Sequence, residues 1–331
     1  MRLRHCTLLA AAALGAPWLR AQEAPSAATR PSAGIAQFVE VEKGVKLQVI
    51  DFGGTGRPLV LIAGLGGHAN GFAPFAAKLA ANYHVYAITR RGFEPSSVPA
   101  SGYDADRLGD DVVAVIDALK LERPILAGHS LAGEELSSIG TRHPEKVAAL
   151  IYLEAAFPYA FYNAERGDLM IDANALRDEI GRLDAEPVPA KLIPLLEAMA
   201  TDAARLQRDV AARQAELVQT PPPPLRKLPP AIPSQIQQIF AGERRYGPVT
   251  AVPVLAICAY PHNIGNLSAP PAIVAAIKAR DLDLNGAQID AFAKANPQAK
   301  VVRIPNASHL IFQSNEGDVL REMNAFIAAL P

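Results

Sequence analysis

Cysteine is almost missing from this chain of 331 residues. There are two, Cys6 and Cys258, too few for a disulfide-stapled scaffold. Neither sign of charge is in excess, since 32 Lys and Arg face 33 Asp and Glu, and that balance excludes the basic surface of a nucleic-acid binder. Long apolar runs are missing too. The apolar stretch at residues 8–14 is short and is soon interrupted by Pro17 and Arg20, so no membrane-spanning helix is expected. There is no internal repeat, which excludes a solenoid, and neither G-x-G-x-x-G nor a phosphate-loop lysine, which argues against a nucleotide. His68 has no His or Cys at metal-ligand spacing, so neither a metal nor a cofactor is expected.

What is present begins with a leader. Arg2, Arg4 and His5 precede the apolar stretch, and Leu19-Arg20-Ala21 ends on a small residue. This predicts a signal peptide over residues 1–21 and an exported protein, periplasmic or secreted, whose mature chain keeps Cys258 alone. Residues 22–37, rich in Pro, Ala and Ser, read as a flexible connector. From Phe38 onward, alternating residues at 38–41 and 46–50 predict a hairpin about Lys43-Gly44. The run over 58–63 is apolar throughout and reads as a strand buried on both faces. Further strands are expected at 83–89, 125–127, 147–153, 252–258 and 300–304. Helical patterns lie around 72–79, over 108–119, from Glu134, over 287–295 and over 319–330. The alternation predicts a parallel sheet with helices on both faces.

That alternation stops between residues 157 and 249, where helices are expected at 176–183, 192–199 and 203–217. Pro221 to Pro224 and Pro229-Pro230 should form extended, stiff backbone. The reading is a core made of residues 38–156 and 250–331, with a helical lid at 157–249 inserted into it.

Within the core, Gly128-His129-Ser130-Leu131-Ala132 follows a strand pattern and precedes a helix. A serine at the apex of such a bend needs small residues two before and two after it, which Gly128 and Ala132 supply. Serine is a weak nucleophile without an imidazole to take its proton and an acid to orient that imidazole. His309, on a loop of small residues after the last strand, is the candidate base. The loop 259–266 has no carboxylate, so Glu154, at the end of the strand after the elbow helix, is the candidate acid. The N–H groups of Leu131 and of Leu65, with Gly66 as the alternative to Leu65, are candidate oxyanion donors. Of the two acids on the elbow helix, Glu134 and Glu135, one is expected to be buried near the site and the other solvated. His68, Phe157 and Tyr159 are pocket candidates, although the aromatic pair could equally pack the lid against the sheet.

These residues resemble the α/β-hydrolase fold superfamily. Gly64-Leu65-Gly66-Gly67, the segment from Arg90-Arg91-Gly92-Phe93 to Ser97, the Gly128-His129-Ser130 elbow and Ala307-Ser308-His309 carry the resemblance. It implies the α/β-hydrolase fold with the order nucleophile, acid, base, which Ser130, Glu154 and His309 satisfy. Ala132 in place of Gly and the missing acid after the penultimate strand depart from the family pattern. With serine at the elbow, the resemblance implies cleavage of a small-molecule carboxylic ester through an acyl-enzyme. A carbon–carbon bond hydrolase or perhydrolase on the same residues, or a non-catalytic binding protein, are the alternatives.

Overall fold

The computed structural model describes residues 34–219, 231–265 and 271–331. The expected signal peptide and the proline runs at 221–224 and 229–230 therefore lie outside the described residues. Eight strands form one sheet in the order β1-β2-β4-β3-β5-β6-β7-β8. β1 (Ile35–Glu42) and β2 (Val45–Gly53) make the expected hairpin, and β2 pairs antiparallel with β4 (His84–Ile88). β1 begins at Ile35, so the last residues assigned to the connector are strand. They are held there by pairing of Ile35 with Asp51.

β3 (Pro58–Ile62), β5 (Ile125–His129), β6 (Ala149–Leu153), β7 (Val254–Ala259) and β8 (Lys300–Ile304) run parallel, and β3 is also parallel to β4. Successive side chains on a strand point to opposite faces, so each central strand feeds two cores. Val60, Ile62, Leu126, Tyr152 and Ala256 enter one core, where α2 (Ala105–Ala118) and α3 (Ala132–Arg142) contribute Val112, Val115, Leu136 and Ile139. Leu59, Leu61, Ala127, Ile151 and Leu255 enter the other, with Phe75 and Leu79 of α1 (Ala73–Leu79).

Among the described residues, three helices lie between β6 and β7, namely α4 (Leu169–Ala185), α5 (Pro189–Gln219) and α6 (Ser234–Gly242). α4 starts seven residues before the expected 176, where the Asp168 side chain caps it by accepting the N–H groups of Met170 and Ile171. The two helices expected at 192–199 and 203–217 are one, continuous through Pro194. α7 (Pro271–Ala295) likewise begins well before the expected 287 and contains Asp281 and Asp283. After β8, a short α8 (Ile311–Ser314) leads into α9 (Glu316–Ala328), whose Val319 and Met323 seal the second core. Among the described residues, no helix is long and apolar enough to cross a membrane.

The chain goes from β3 outward to β4 on one side and returns to β5 on the other. The carboxyl ends of β3 and β5 therefore flank a topological switch point, where an open parallel sheet offers a crevice to a ligand.

Candidate active site

The elbow sits at that switch point. β5 ends at His129, and Ser130 turns the chain into α3 with φ +53°, a conformation an L-residue holds only at a cost of about 1–3 kcal/mol. Its N–H donates to the Leu153 carbonyl at 3.2 Å and its carbonyl accepts the Gly133 N–H at 2.9 Å, which pins the bend from both sides. A Cβ at Gly128 would lie 2.9 Å from the Ala132 Cβ. Glycine on the strand side is what makes room for alanine on the helix side.

His309 follows β8 on the 305–310 loop, and its Nε2 lies 2.8 Å from Ser130 Oγ. The loop is fastened below by His129, whose Nε2–H donates to the His309 carbonyl at 2.8 Å. Because a carbonyl can only accept, that bond fixes the His129 tautomer. Burial lowers the His129 imidazole to about 4. Burial, with His129 and His262 nearby, lowers His309 to about 3, so at neutral pH His309 is uncharged and able to accept a proton.

Glu154 departs from its expected role. It is 3% exposed, and its partners are others than His309. Oε1 lies 2.7 Å from His262 Nε2, and Oε2 accepts the Ala259 N–H. His262 Nδ1 lies 2.7 Å from Asp281 Oδ1 on α7, and Asn285 donates to the same oxygen at 2.6 Å. Burial opposes charge on His262, but its hydrogen bonds to Glu154 and Asp281 and the charges of those carboxylates outweigh it and raise the imidazole pKa. The physical reason for the correction is competition. A histidine in the acid-free loop, with a carboxylate on either side, takes the oxygen that the sequence reading assigned to His309. The two histidine loops remain tied, since Asn263 N–H donates to the Ala307 carbonyl at 2.8 Å and Asn306 N–H to the Pro261 carbonyl at 2.9 Å.

On the opposite side, the loop of Leu65 approaches the elbow closely. A Cβ at Gly64 would fall 2.8 Å from His129 Nδ1 and 3.1 Å from Ser130 Cβ, so only glycine lets the loop lie there. Arg90, at the end of β4, orients it. Its guanidinium donates to the Ala63 carbonyl at 3.0 Å and the Gly64 carbonyl at 3.3 Å, while gripping Glu135 of α3 at 2.6 and 2.8 Å. Leu65 and Leu131 pack in one apolar cluster with Phe93, Tyr103, Leu108, Tyr159 and Ile239. The Leu131 N–H stands at the head of α3, where helix geometry leaves backbone donors unused.

Of the pocket candidates, Tyr159 packs in the cluster of Leu65 and Leu131, and burial pushes its pKa well up. Phe157 lies with its ring centroid 6.0 Å from His309 and 5.7 Å from Tyr159. His68 is exposed and lines a cleft behind the Gly64 loop with His129, Phe312 and Gln313. Neither elbow-helix acid is solvated, contrary to expectation. Glu135 is bound by Arg90, and Glu134 is wholly buried. Sequence reasoning passed over His129, Arg90 and His262. The first fills the unrestricted position of G-x-S, and the other two have partners from 19 to 108 residues away.

A serine and an imidazole in contact, beside a glycine loop at the crevice of a doubly covered parallel sheet, define the chain as α/β-hydrolase in architecture. The sequence profile of the alpha/beta hydrolase family matches residues 59–322, and the chain belongs to that family. Among curated relatives, it is 31% identical over 148 residues to a dihydrolipoyllysine-residue acetyltransferase component of an acetoin cleaving system from Pseudomonas putida, covering 44% of this chain and 40% of that one. It is 36% identical over 123 residues to the AB hydrolase superfamily protein YisY of Bacillus subtilis, covering 37% of this chain and 46% of the relative. The matches thus span less than half the length of these relatives. Among solved structures, the carboxylesterase CesB of Bacillus subtilis aligns with a TM-score of 0.53 at 17% identity, covering 90% of this chain and 93% of that one, a likeness of fold.

Proposed function

We propose that the protein is a serine hydrolase that cleaves carboxylic esters through an acyl-enzyme intermediate. The observation that carries this reading is the 2.8 Å contact between His309 Nε2 and Ser130 Oγ, on a turn that presents the serine at the crevice. Neutral His309 accepts the Ser130 proton as Oγ attacks the ester carbonyl. The N–H groups of Leu65 and Leu131 stabilise the oxyanion, and His309 then gives the proton to the departing alcohol. Water, deprotonated by the same imidazole, attacks the acyl carbonyl and releases the carboxylic acid. In this reading Glu154 acts at one remove. Together with Asp281 it clamps His262, and the clamp sets the loop to which the His309 loop is tied.

Fluorophosphonate labelling of the purified protein, with short p-nitrophenyl esters as substrates, tests the reading. The wild type should be labelled and should turn over, and Ser130→Ala should lose the label and about 10³-fold or more of turnover. Absence of label on the wild type would remove the serine-hydrolase reading.

A further inference from the structure

Period-two alternation along β5 decides where the residue before the serine points. Ala127 enters the core shared with α8 and α9, so His129, two residues on, faces the same way. His129 is 6% exposed, and its ring meets that of Phe312 edge-on with centroids 5.1 Å apart. A polar ring in such a place costs stability unless its N–H is bonded, and any nearby carbonyl would serve that need. The carbonyl it reaches is that of His309, at 2.8 Å.

Hydrogen bonds hold the base loop at successive residues. Asn306 N–H donates to the Pro261 carbonyl at 2.9 Å, the Ala307 carbonyl accepts the Asn263 N–H at 2.8 Å, and Ser308 N–H donates to Ser314 Oγ at 3.0 Å. These tie the loop to the segment after β7 and to α8. The bond from His129 differs, because it ties His309 itself to the last residue of β5, next to Ser130. β5 lies between β3 and β6 inside the sheet, so this anchor is set in the sheet rather than in a loop.

The same ring is bounded on its other edge. A Cβ at Gly64 would stand 2.8 Å from His129 Nδ1, so the glycine loop lies directly against the imidazole. The His309 ring is 4.9 Å away, centroid to centroid, and tilted by 54°. Glycine loop, elbow and base loop therefore meet at one side chain, which close packing leaves little room to turn. Burial also keeps this imidazole uncharged at neutral pH, with its value lowered to about 4. It can thus donate to His309 without setting a second positive charge beside the imidazolium that forms there during catalysis.

We propose that His129 is a positioning residue for the base. By holding the His309 carbonyl to the elbow, it keeps His309 Nε2 and Ser130 Oγ at the 2.8 Å separation that both proton transfers need. The inference rests on Ser130 as the nucleophile and His309 as its base. Without the bond, the 305–310 loop still hangs from its contacts with the β7 segment and α8, but its distance from the elbow is no longer set. A shift of about 1 Å between reacting groups can cost on the order of 10²-fold in rate.

Substitutions at His129 separate the bond from the bulk. His129→Gln puts an amide N–H about as far from Cα as Nε2 stands, His129→Asn carries the same amide on a shorter side chain, and His129→Leu fills the space with no donor. With p-nitrophenyl acetate as substrate, His129→Asn and His129→Leu should lose about 10- to 100-fold in kcat with KM within about threefold of wild type, and His129→Gln should recover most of that loss. The rate of fluorophosphonate labelling should fall and recover in the same order. If His129→Leu does not fold, the comparison of His129→Gln with His129→Asn decides. His129→Gln no faster than His129→Asn would overturn the proposal, as would losses that track the melting temperatures of the variants rather than the reach of their donors. Wild-type kcat in every variant would overturn it too, and would leave the serine-hydrolase reading standing. An unlabelled wild type would instead remove the reading on which the proposal rests.

Discussion

Two groups of buried acids flank Ser130 and His309, one on the β7 side and one on the α3 side. On the β7 side, His262 stands 2.7 Å from both Glu154 and Asp281, and the second Glu154 oxygen takes a backbone N–H. On the α3 side, Glu135 is satisfied by Arg90 while Glu134 beside it keeps both oxygens unbonded. A buried charge with all its partners behaves as part of the architecture. A buried acid without them costs stability.

The comparison is broken most directly by removing one member from each side. His262→Ala removes the imidazole that stands between Glu154 and Asp281 and should destabilise the fold by about 3–5 kcal/mol in chemical denaturation. Glu134→Leu should act in the opposite direction and stabilise by about 1–3 kcal/mol, because it deletes an unsatisfied buried group. Equal destabilisation by the two variants would show that Glu134 is as structural as His262.

The pH profile sharpens the same contrast at a smaller scale. Burial, with neighbouring His129 and His262, lowers His309 from 6.5 to about 3, so its base form is lost only as pH falls through that value. The kcat/KM for a neutral ester should therefore stay flat from neutrality to below about pH 5. An acid limb at about 6.5 or higher would mean that a carboxylate faces His309 directly, and would return Glu154 from His262 to the base.

The smallest effect is expected in the inserted helices, where a third acid pair lies between the two extremes. Burial, followed by interaction with the Asp172 carboxyl of α4, raises the Asp209 carboxyl of α5 from 3.8 to about 7. Asp172 is held by Arg245 and Tyr162 and by the Asp168 N–H. A carboxyl raised by folding contributes fully below its unfolded value, about pH 4, and loses that contribution as pH rises through about 7. Asp209→Asn supplies a permanent donor. Relative to wild type, its melting temperature should gain about 1–3 °C between pH 5 and pH 8.

How far the sequence reaches follows the range of each interaction. β3 was legible to within one residue, because a strand buried on both faces is apolar throughout, and β8 to the residue, although at the sheet edge it is only partly buried and carries Lys300 and Arg303. Ser130 was legible because the elbow is local, and His309 because it lies on a loop of small residues after the last strand. Glu154 was found as a buried acid near the site but was matched with the wrong histidine. Its partner is chosen by how the loops after β7 and β8 lie together, a relation of residues 108 or more apart. The helix that delivers Asp281 begins at Pro271, where weak apolar periodicity hid its first turns. The break expected between residues 199 and 203 is absent, since packing of α5 on α4 carries one helix through Thr201 and Asp202.

Arg90 joins the end of β4, the glycine loop and the first turn of the elbow helix through one planar group. The glycine loop and the elbow therefore move as a single block, anchored to the sheet, whereas α4, α5 and α6 follow one another between β6 and β7. The division is useful for engineering. Variation confined to the insert would change which molecules are admitted while leaving the bond-breaking block intact, and substitution of Arg90 would damage every substrate alike.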